Sequence, residues 1–347
     1  MRNSSYEARY YKKLNNNSTQ CILCPHFCII AEGDSGFCRS RQNTKGVLYA
    51  INYGECVSLA VDPIEKKPLY HFYPGSYVLS TASNSCNLAC PFCQNSEISQ
   101  YKTPTKFVSP EQMVETALSE KSIGIAYTYT EPLTWFEYIM DTAKLAYNKG
   151  LKNILVTNGM INPEPLQELM PYIDAANIDL KSMDESFYKT LLKGNLKTVL
   201  ETIKSCKKLF HIEITNLLIP GHNDSPELIS KLIDFVAEVG VDTPLHFSRY
   251  FPHYNFDVPP TPATTLEFAY KLAKEKLYYV YAGNIELPDA SNTYCPQCNN
   301  LLIRRHNFNA EVLGITENKQ KGKAKTSTYP TGNKCSKCGR QTDIISC

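Results

Sequence analysis

Apolar strand-like runs alternate with amphipathic helical runs six or seven times, three cysteines follow directly on the first of those strands, and a set of four cysteines stands on either side. Together these predict an α/β protein, a partial (β/α)6 TIM-like barrel flanked by an N-terminal cysteine module and a C-terminal ribbon-like module. The expected divisions are residues 1–76 for a leader, a four-cysteine metal module and a β cover, 77–285 for the part-barrel, and 286–347 for the C-terminal module.

Residues 1 to about 20 are polar and Asn-rich and read as a loose leader, and residues 21–41 as a compact cysteine module. Residues 47–53 and 56–61 read as strands, and a proline-bounded segment follows over 62–74. Barrel strands are expected over 77–81, 123–129, 153–157, 175–180, 212–219, 245–248 and 278–281, where β-rich apolar runs occur. Apolar residues at three- and four-residue spacing place helices over 110–118, 135–148, 163–170, 196–209, 226–239 and 264–275. Ser109-Pro110 and Ser225-Pro226 supply a serine N-cap and a proline at the first helical position, and Gly150 and Gly240 supply stops. After Ile285 the periodicity fades into a cysteine-rich tail.

The 36 basic and 34 acidic residues leave a net charge of +2, which gives no electrostatic case for nucleic acid or a membrane surface as an obligate partner. Met1 to Lys13 lacks an apolar signal core and no run is long enough to span a bilayer, so a cytoplasmic protein is expected. In that reducing compartment, 14 clustered cysteines point to metal or redox chemistry instead of disulfides. Cys56, Cys206 and Cys347 fall outside the clusters and read as small buried hydrophobes, or, for Cys347, as part of a frayed end.

Cys86, Cys90 and Cys93 form C-x3-C-x2-C on a loop at the carboxyl end of the first barrel strand, where α/β folds place their active sites. Three thiolates can bind three irons of a cubane and leave the fourth open to chelate a small molecule. The competing reading is zinc with a fourth ligand from elsewhere, but structural zinc prefers a closed set of four.

This motif resembles that of the radical S-adenosylmethionine (SAM) superfamily, with aromatic Phe92 before the last cysteine as in that pattern. More narrowly, the chain is similar to the radical SAM enzymes of the AmmeMemoRadiSam system, relatives of the activating enzymes of pyruvate formate-lyase and other glycyl-radical enzymes. The likeness runs from about Cys21 to Cys338. It rests on the phrases Cys-Ile-Leu-Cys-Pro-His-Phe-Cys from Cys21, Asp62 to Phe72, Thr-Tyr-Thr-Glu-Pro from Thr128, Val-Thr-Asn-Gly from Val156, Asn-Ile-Asp-Leu-Lys from Asn177, and Ile-Pro-Gly-His-Asn-Asp from Ile219.

The resemblance implies a [4Fe–4S] cluster that passes one electron to SAM, giving methionine and a 5′-deoxyadenosyl radical that abstracts hydrogen from a substrate. Such clusters reach potentials of roughly −700 mV. Phe92 is implied to pack near the adenine. Thr130 and Glu131 stand where the superfamily has Gly-Gly-Glu-Pro, with Tyr129 and Thr130 replacing the glycines. Asn158 and Lys181 follow the third and fourth strands, Lys181 as a partner for the SAM carboxylate and Asp179 beside it. The bland readings are a solvated lysine and a capping aspartate. After the sixth strand the narrower group has Arg-Phe-His-Pro; here Arg249 is kept, the histidine position is Phe251, and His246 and His253 are weaker substitutes. Glu65, Lys66, Lys67, Tyr70 and His71 line the barrel mouth or form a cover with solvated charges.

Cys21, Cys24, Cys28 and Cys38 make a closed set of four that suits zinc or a second iron–sulfur cluster, with a disulfide pair as the weak alternative. Cys295, Cys298, Cys335 and Cys338 form two CxxC knuckles separated by 36 residues, a zinc-ribbon-like signature. The intervening Lys319, Lys321, Lys323 and Lys325 read as a solvated loop. The expected function is therefore radical SAM chemistry on an unidentified substrate, a partner protein or a small molecule. A flavodoxin or ferredoxin would supply the electron, and Memo-like and AMMECR-like proteins are candidate partners. A radical SAM enzyme that modifies RNA, and a non-enzymatic zinc protein that binds nucleic acid, are the alternatives. The near-neutral charge argues against the latter.

Overall fold

The computed structural model describes residues 6–316 and 333–346. The four lysines of the loop and Cys347 lie outside the described residues. Eight strands form the main sheet: β1 (Ser58–Pro63), β2 (Tyr77–Ala82), β3 (Gly124–Tyr127), β4 (Lys152–Thr157), β5 (Ala175–Asp179), β6 (His211–Leu218), β7 (Leu245–Arg249) and β8 (Val280–Gly283). They lie in chain order across the sheet. β1 is antiparallel to β2, and β2 to β8 are all parallel. Six helices make the crossovers: α1 (Pro110–Ser119), α2 (Phe136–Asn148), α3 (Pro163–Leu169), α4 (Leu196–Lys207), α5 (Pro226–Val239) and α6 (Ala263–Lys274). The result is six βα units ended by a seventh parallel strand, wound one way as an open part-barrel.

Local chemistry sets these boundaries. Ser109 and Gln112 form a reciprocal capping box at the start of α1, and Ser225 accepts from Leu228 N at 3.2 Å to start α5. Gly124 begins β3 because a Cβ there would stand 2.0 Å from the Lys152 carbonyl of β4. The strands are apolar on both faces, as a covered parallel sheet requires.

From Tyr6 onward the leader is not loose. Tyr11–Lys13 pairs with Thr19–Cys21, which pairs with Ile29–Ile30. Tyr6 stacks on Tyr53 with ring centroids 3.9 Å apart, and both hydroxyls donate to Asp141 Oδ2 on α2. The cysteine module is fastened to the same helix by the fully buried Arg41–Glu137 pair at 2.6 Å.

Apart from Lys66, which is exposed, the charges of the segment after β1 neither line the mouth nor face solvent. The segment plugs the amino end of the barrel, where Ile64, Leu69 and Phe72 pack on Val78, Ala126, Ile154 and Ala175. Its Glu65, Lys67 and His71 are buried. The C-terminal module seals this floor. It has a three-stranded antiparallel sheet (Thr293–Tyr294, Leu301–His306, Asn309–Val312), and its Ile345 joins the floor cluster and exchanges backbone hydrogen bonds with His71 and Tyr73. Arg305 enters from it, donating to Ser291 O and Thr293 Oγ1 and to Tyr70 O, with its guanidinium 4.2 Å from the Tyr70 ring centre and Glu65 3.8 Å from its Nε. Among the described residues no helix is long and apolar enough to cross a membrane.

Candidate functional site

The carboxyl end of β2 runs into a loop that several separate elements hold. Ser85, just before the first cysteine, has φ +106°, a conformation a side chain adopts only under constraint from its surroundings. Its N–H donates to Ile98 O at 2.9 Å. Ala89 N donates to Leu192 O at 2.9 Å, at the end of a π-helical turn over Phe187–Leu192, and Asn255 N donates to Pro91 O at 3.0 Å. Asn87 ties in three more segments: its Nδ2 donates to Met160 O at 2.7 Å, its Oδ1 accepts from Asn158 Nδ2 at 2.9 Å, and its carbonyl lies 2.7 Å from His26 Nε2 of the N-terminal module.

The three thiols of this loop are sheltered. Cys86 Sγ accepts from Leu88 N at 3.3 Å and has Asn158 Nδ2 at 3.7 Å; Cys93 Sγ lies 3.1 Å from Ser99 Oγ. Burial, then the nearby Glu131, raises the Cys86 pKa well above the usual thiol range, and burial pushes Cys90 up to about 12 against the pull of Lys181. Such thiols become thiolates when a metal replaces the proton. The donor set therefore fits a metal centre. Among the described residues the compact thiol group, with its ligand atoms all within 4.8 Å of one another, is Cys295, Cys298, Cys335 and Cys338, and the central three are not such a group.

Around the loop, Phe92 is buried edge-on to Phe256, with centroids 5.7 Å apart, and 6.3 Å from Phe187. Tyr129 has a left-handed φ of +69°. Its hydroxyl donates to Asp62 Oδ2, and Lys67 Nζ lies 3.1 Å from it and 4.4 Å from the ring centre. Thr130 Oγ1 donates back to Ser83 O at 2.8 Å. Glu131 is buried and turned to its own chain, accepting from Asn158 N and Thr157 Oγ1 at 2.7 Å each and from Leu133 N at 3.0 Å. Burial pushes its pKa up to about 7. Its carboxylate thus brackets the ends of β3 and β4 together.

Lys181 follows β5 and pairs with Asp179 at 2.9 Å. Burial works against its charge, but Asp179 and the Cys90 side overcome that and hold its pKa above the ordinary lysine value. Arg249, at the end of β7, donates from Nε to Thr261 O at 2.8 Å and lies 5.0 Å over the Phe251 ring. His246 is not part of this site: it is buried on β7 with Nε2 2.6 Å from Glu213 Oε2, in the floor network. His253 is exposed. Beside the loop, a cavity of about 410 Å³ is lined by Ser83, Asn84, Ser85, Arg39, Tyr101 and Lys102.

The outer sets differ from each other. In the C-terminal set, Cys295–Cys338 and Cys298–Cys335 sulfurs are 3.6 Å apart, so this group can hold a metal. Cys21, Cys24, Cys28 and Cys38 instead line one pocket. The sequence reading assigned no role to Asn87 or Arg41 and noted Tyr129 only as a replaced glycine. The asparagine inside the cysteine motif and the tyrosine in a glycine's place were the available signals.

The sequence signature of the radical SAM superfamily matches residues 81–233. An uncharacterised protein of Methanocaldococcus jannaschii is 46% identical over 346 residues, covering 98% of this chain and 99% of that protein. The 4-hydroxyphenylacetate decarboxylase activating enzyme of Clostridium scatologenes is 30% identical over 116 residues; the match covers 33% of this chain and only 37% of that enzyme. The pyruvate formate-lyase-activating enzyme of Staphylococcus epidermidis is 25% identical over 176 residues, covering 46% of this chain and 68% of that enzyme.

Proposed function

Since the chain belongs to the radical SAM superfamily and is related to the pyruvate formate-lyase activating enzymes, we propose that Cys86, Cys90 and Cys93 hold a [4Fe–4S] cluster with one open iron for SAM. When bound, the pair supplies one-electron cleavage of the sulfonium and so a 5′-deoxyadenosyl radical for hydrogen abstraction. The observation that carries this reading is the three-thiol loop at the carboxyl end of β2, braced by Asn87 and Asn158 and with Lys181 beside Cys90.

The chain's residues position and shelter the reaction. Lys181 has three N–H donors and spends one on Asp179, which leaves donors for the SAM carboxylate. Glu131 fixes the backbone after β3 and β4, the turn to which the SAM ammonium group is assigned. Tyr129 holds its left-handed turn through Asp62 and Lys67, so the floor plug sets the shape of the cofactor motif above it. Phe92 supplies an apolar surface for the adenine, and Phe251 carries Arg249 where the narrower group has histidine. The cavity beside Ser83–Ser85 gives a substrate room next to the loop.

We assign the chain to the AmmeMemoRadiSam type, acting in the cytoplasm on a partner protein, with a flavodoxin or ferredoxin as donor and Memo-like and AMMECR-like proteins as the first partners to test. The activating-enzyme relatives support a protein substrate. The 13 described cysteines, all free of disulfides, fit a reducing compartment. The C-terminal quartet is assigned zinc, since bonds of about 2.3 Å place tetrahedral thiolates about 3.8 Å apart, close to the 3.6 Å found.

The test is an anaerobic assay with dithionite as reductant and 5′-deoxyadenosine as the readout. Wild-type protein should form it, and the Cys86→Ala/Cys90→Ala/Cys93→Ala variant should not. Equal product from both would remove the cluster from this loop.

A further inference from the structure

We infer that Cys21, Cys24, Cys28 and Cys38 hold a second iron–sulfur cluster of the four-iron class, seated against the loop that carries Cys86. The inference rests on a comparison within one molecule. In the C-terminal quartet the four sulfurs lie within 4.8 Å of one another, the compact arrangement that a single tetrahedral ion demands. In the N-terminal set no three of the four sulfurs meet that limit, although all four cysteines border one pocket. That pocket is a small cleft with a cavity volume of about 20 Å³. Thiolates on a cubane each bind a different iron, so the metal core holds them farther apart than four thiolates on one zinc. Among the described residues neither the N-terminal cysteines nor Cys86, Cys90 and Cys93 form a compact group like the zinc-type quartet.

The wall of the pocket is built for an anionic, sulfur-rich group. Phe37 N donates to Cys28 Sγ at 3.4 Å, and Ser40 Oγ lies 3.1 Å from Cys38 Sγ. The Arg41 guanidinium borders the pocket, buried, with Nη1 on Glu137 at 2.6 Å and Nε without an acceptor. A buried N–H of a cation left over beside four thiols is explained if it faces a group with net negative charge.

The pocket also reaches the central site. Asn87, next to Cys86, is one of its lining residues, and His26 from the same pocket contacts the Asn87 carbonyl at 2.7 Å. Arg39 donates to Ser99 O, and the Ser99 hydroxyl lies 3.1 Å from Cys93 Sγ. A redox centre in this pocket therefore shares its wall with the ligand loop of the other.

The test counts iron, acid-labile sulfide and zinc in anaerobically purified full-length protein and in the Cys86→Ala/Cys90→Ala/Cys93→Ala variant, whose substitutions leave the N-terminal pocket untouched. The expected result is about eight irons and one zinc per wild-type chain, and about four irons, four sulfides and one zinc in the variant. Mössbauer spectra of the variant should show a four-iron cluster. About four irons and two zincs in wild type, with no iron in the variant, would overturn the inference and leave the central reading intact. Equal iron in both, at about four per chain, would support the N-terminal cluster and overturn the central one. Because the counts on wild type decide between zinc and iron directly, poor folding of the variant does not remove the test.

Discussion

Replacing Lys181 with methionine keeps the apolar stem and deletes the charge. In the structure the ammonium pairs with Asp179 at 2.9 Å, its side chain 17% exposed against 35% for Asp179. Lys181 is mostly buried but Asp179, left behind, stays partly hydrated, so losing the pair should cost roughly 1–2 kcal/mol and lower the melting temperature by no more than several degrees. The donors not spent on Asp179 are the ones assigned to SAM. A hydrogen bond to a charged group contributes about 1.5–3 kcal/mol, so the affinity for SAM should fall roughly 10- to 150-fold. Calorimetric titration of SAM into anaerobic protein, with thermal melts in parallel, reads both numbers. A melting point lowered by many degrees with an affinity within about threefold of wild type would make Lys181 a structural residue and refute its role.

Two further substitutions probe the scaffold. Arg305→Met leaves Glu65 buried without its cation, which should cost about 3–5 kcal/mol and loosen the C-terminal module from the barrel floor; unchanged denaturant midpoints would show that the floor tolerates the loss. Asp62 is held below the usual carboxylate pKa by hydrogen bonds from Lys66, Lys67 and Tyr129 that outweigh burial. Its stabilising effect is then present above the ordinary value near 4 and is lost as pH falls through the lower folded value. Asp62→Asn should therefore lower stability at neutral pH and flatten the acid side of the stability profile, and a parallel profile would contradict the assigned pairing.

The barrel was legible because its signals are local. Strand runs, the Ser109 and Ser225 caps and helix stops each depend on neighbours in sequence, and the observed elements differ from the expected ones by a residue or two at most ends. The described part of the leader was misread because, besides its own short strand pairing, it is held by Asp141, 135 residues from Tyr6, which no composition reveals. The charges of the floor plug were read as solvated for the same reason. Glu65 and Lys67 look like surface residues until Arg305, Asp62 and Tyr129 are brought to them. His246 carried a candidate role only through its place after a strand, and its partner Glu213 lies on the neighbouring strand. The ligand cysteines were visible by spacing, but the contrast between compact and open thiol sets exists only in three dimensions.

Electron paramagnetic resonance of the reduced protein, recorded with and without SAM, bears most directly on the open-iron reading. We expect SAM to shift one cluster signal, and expect that response to vanish when Cys86, Cys90 and Cys93 are replaced. A spectrum that SAM leaves unchanged, or one whose response survives the loss of those three cysteines, would contradict it.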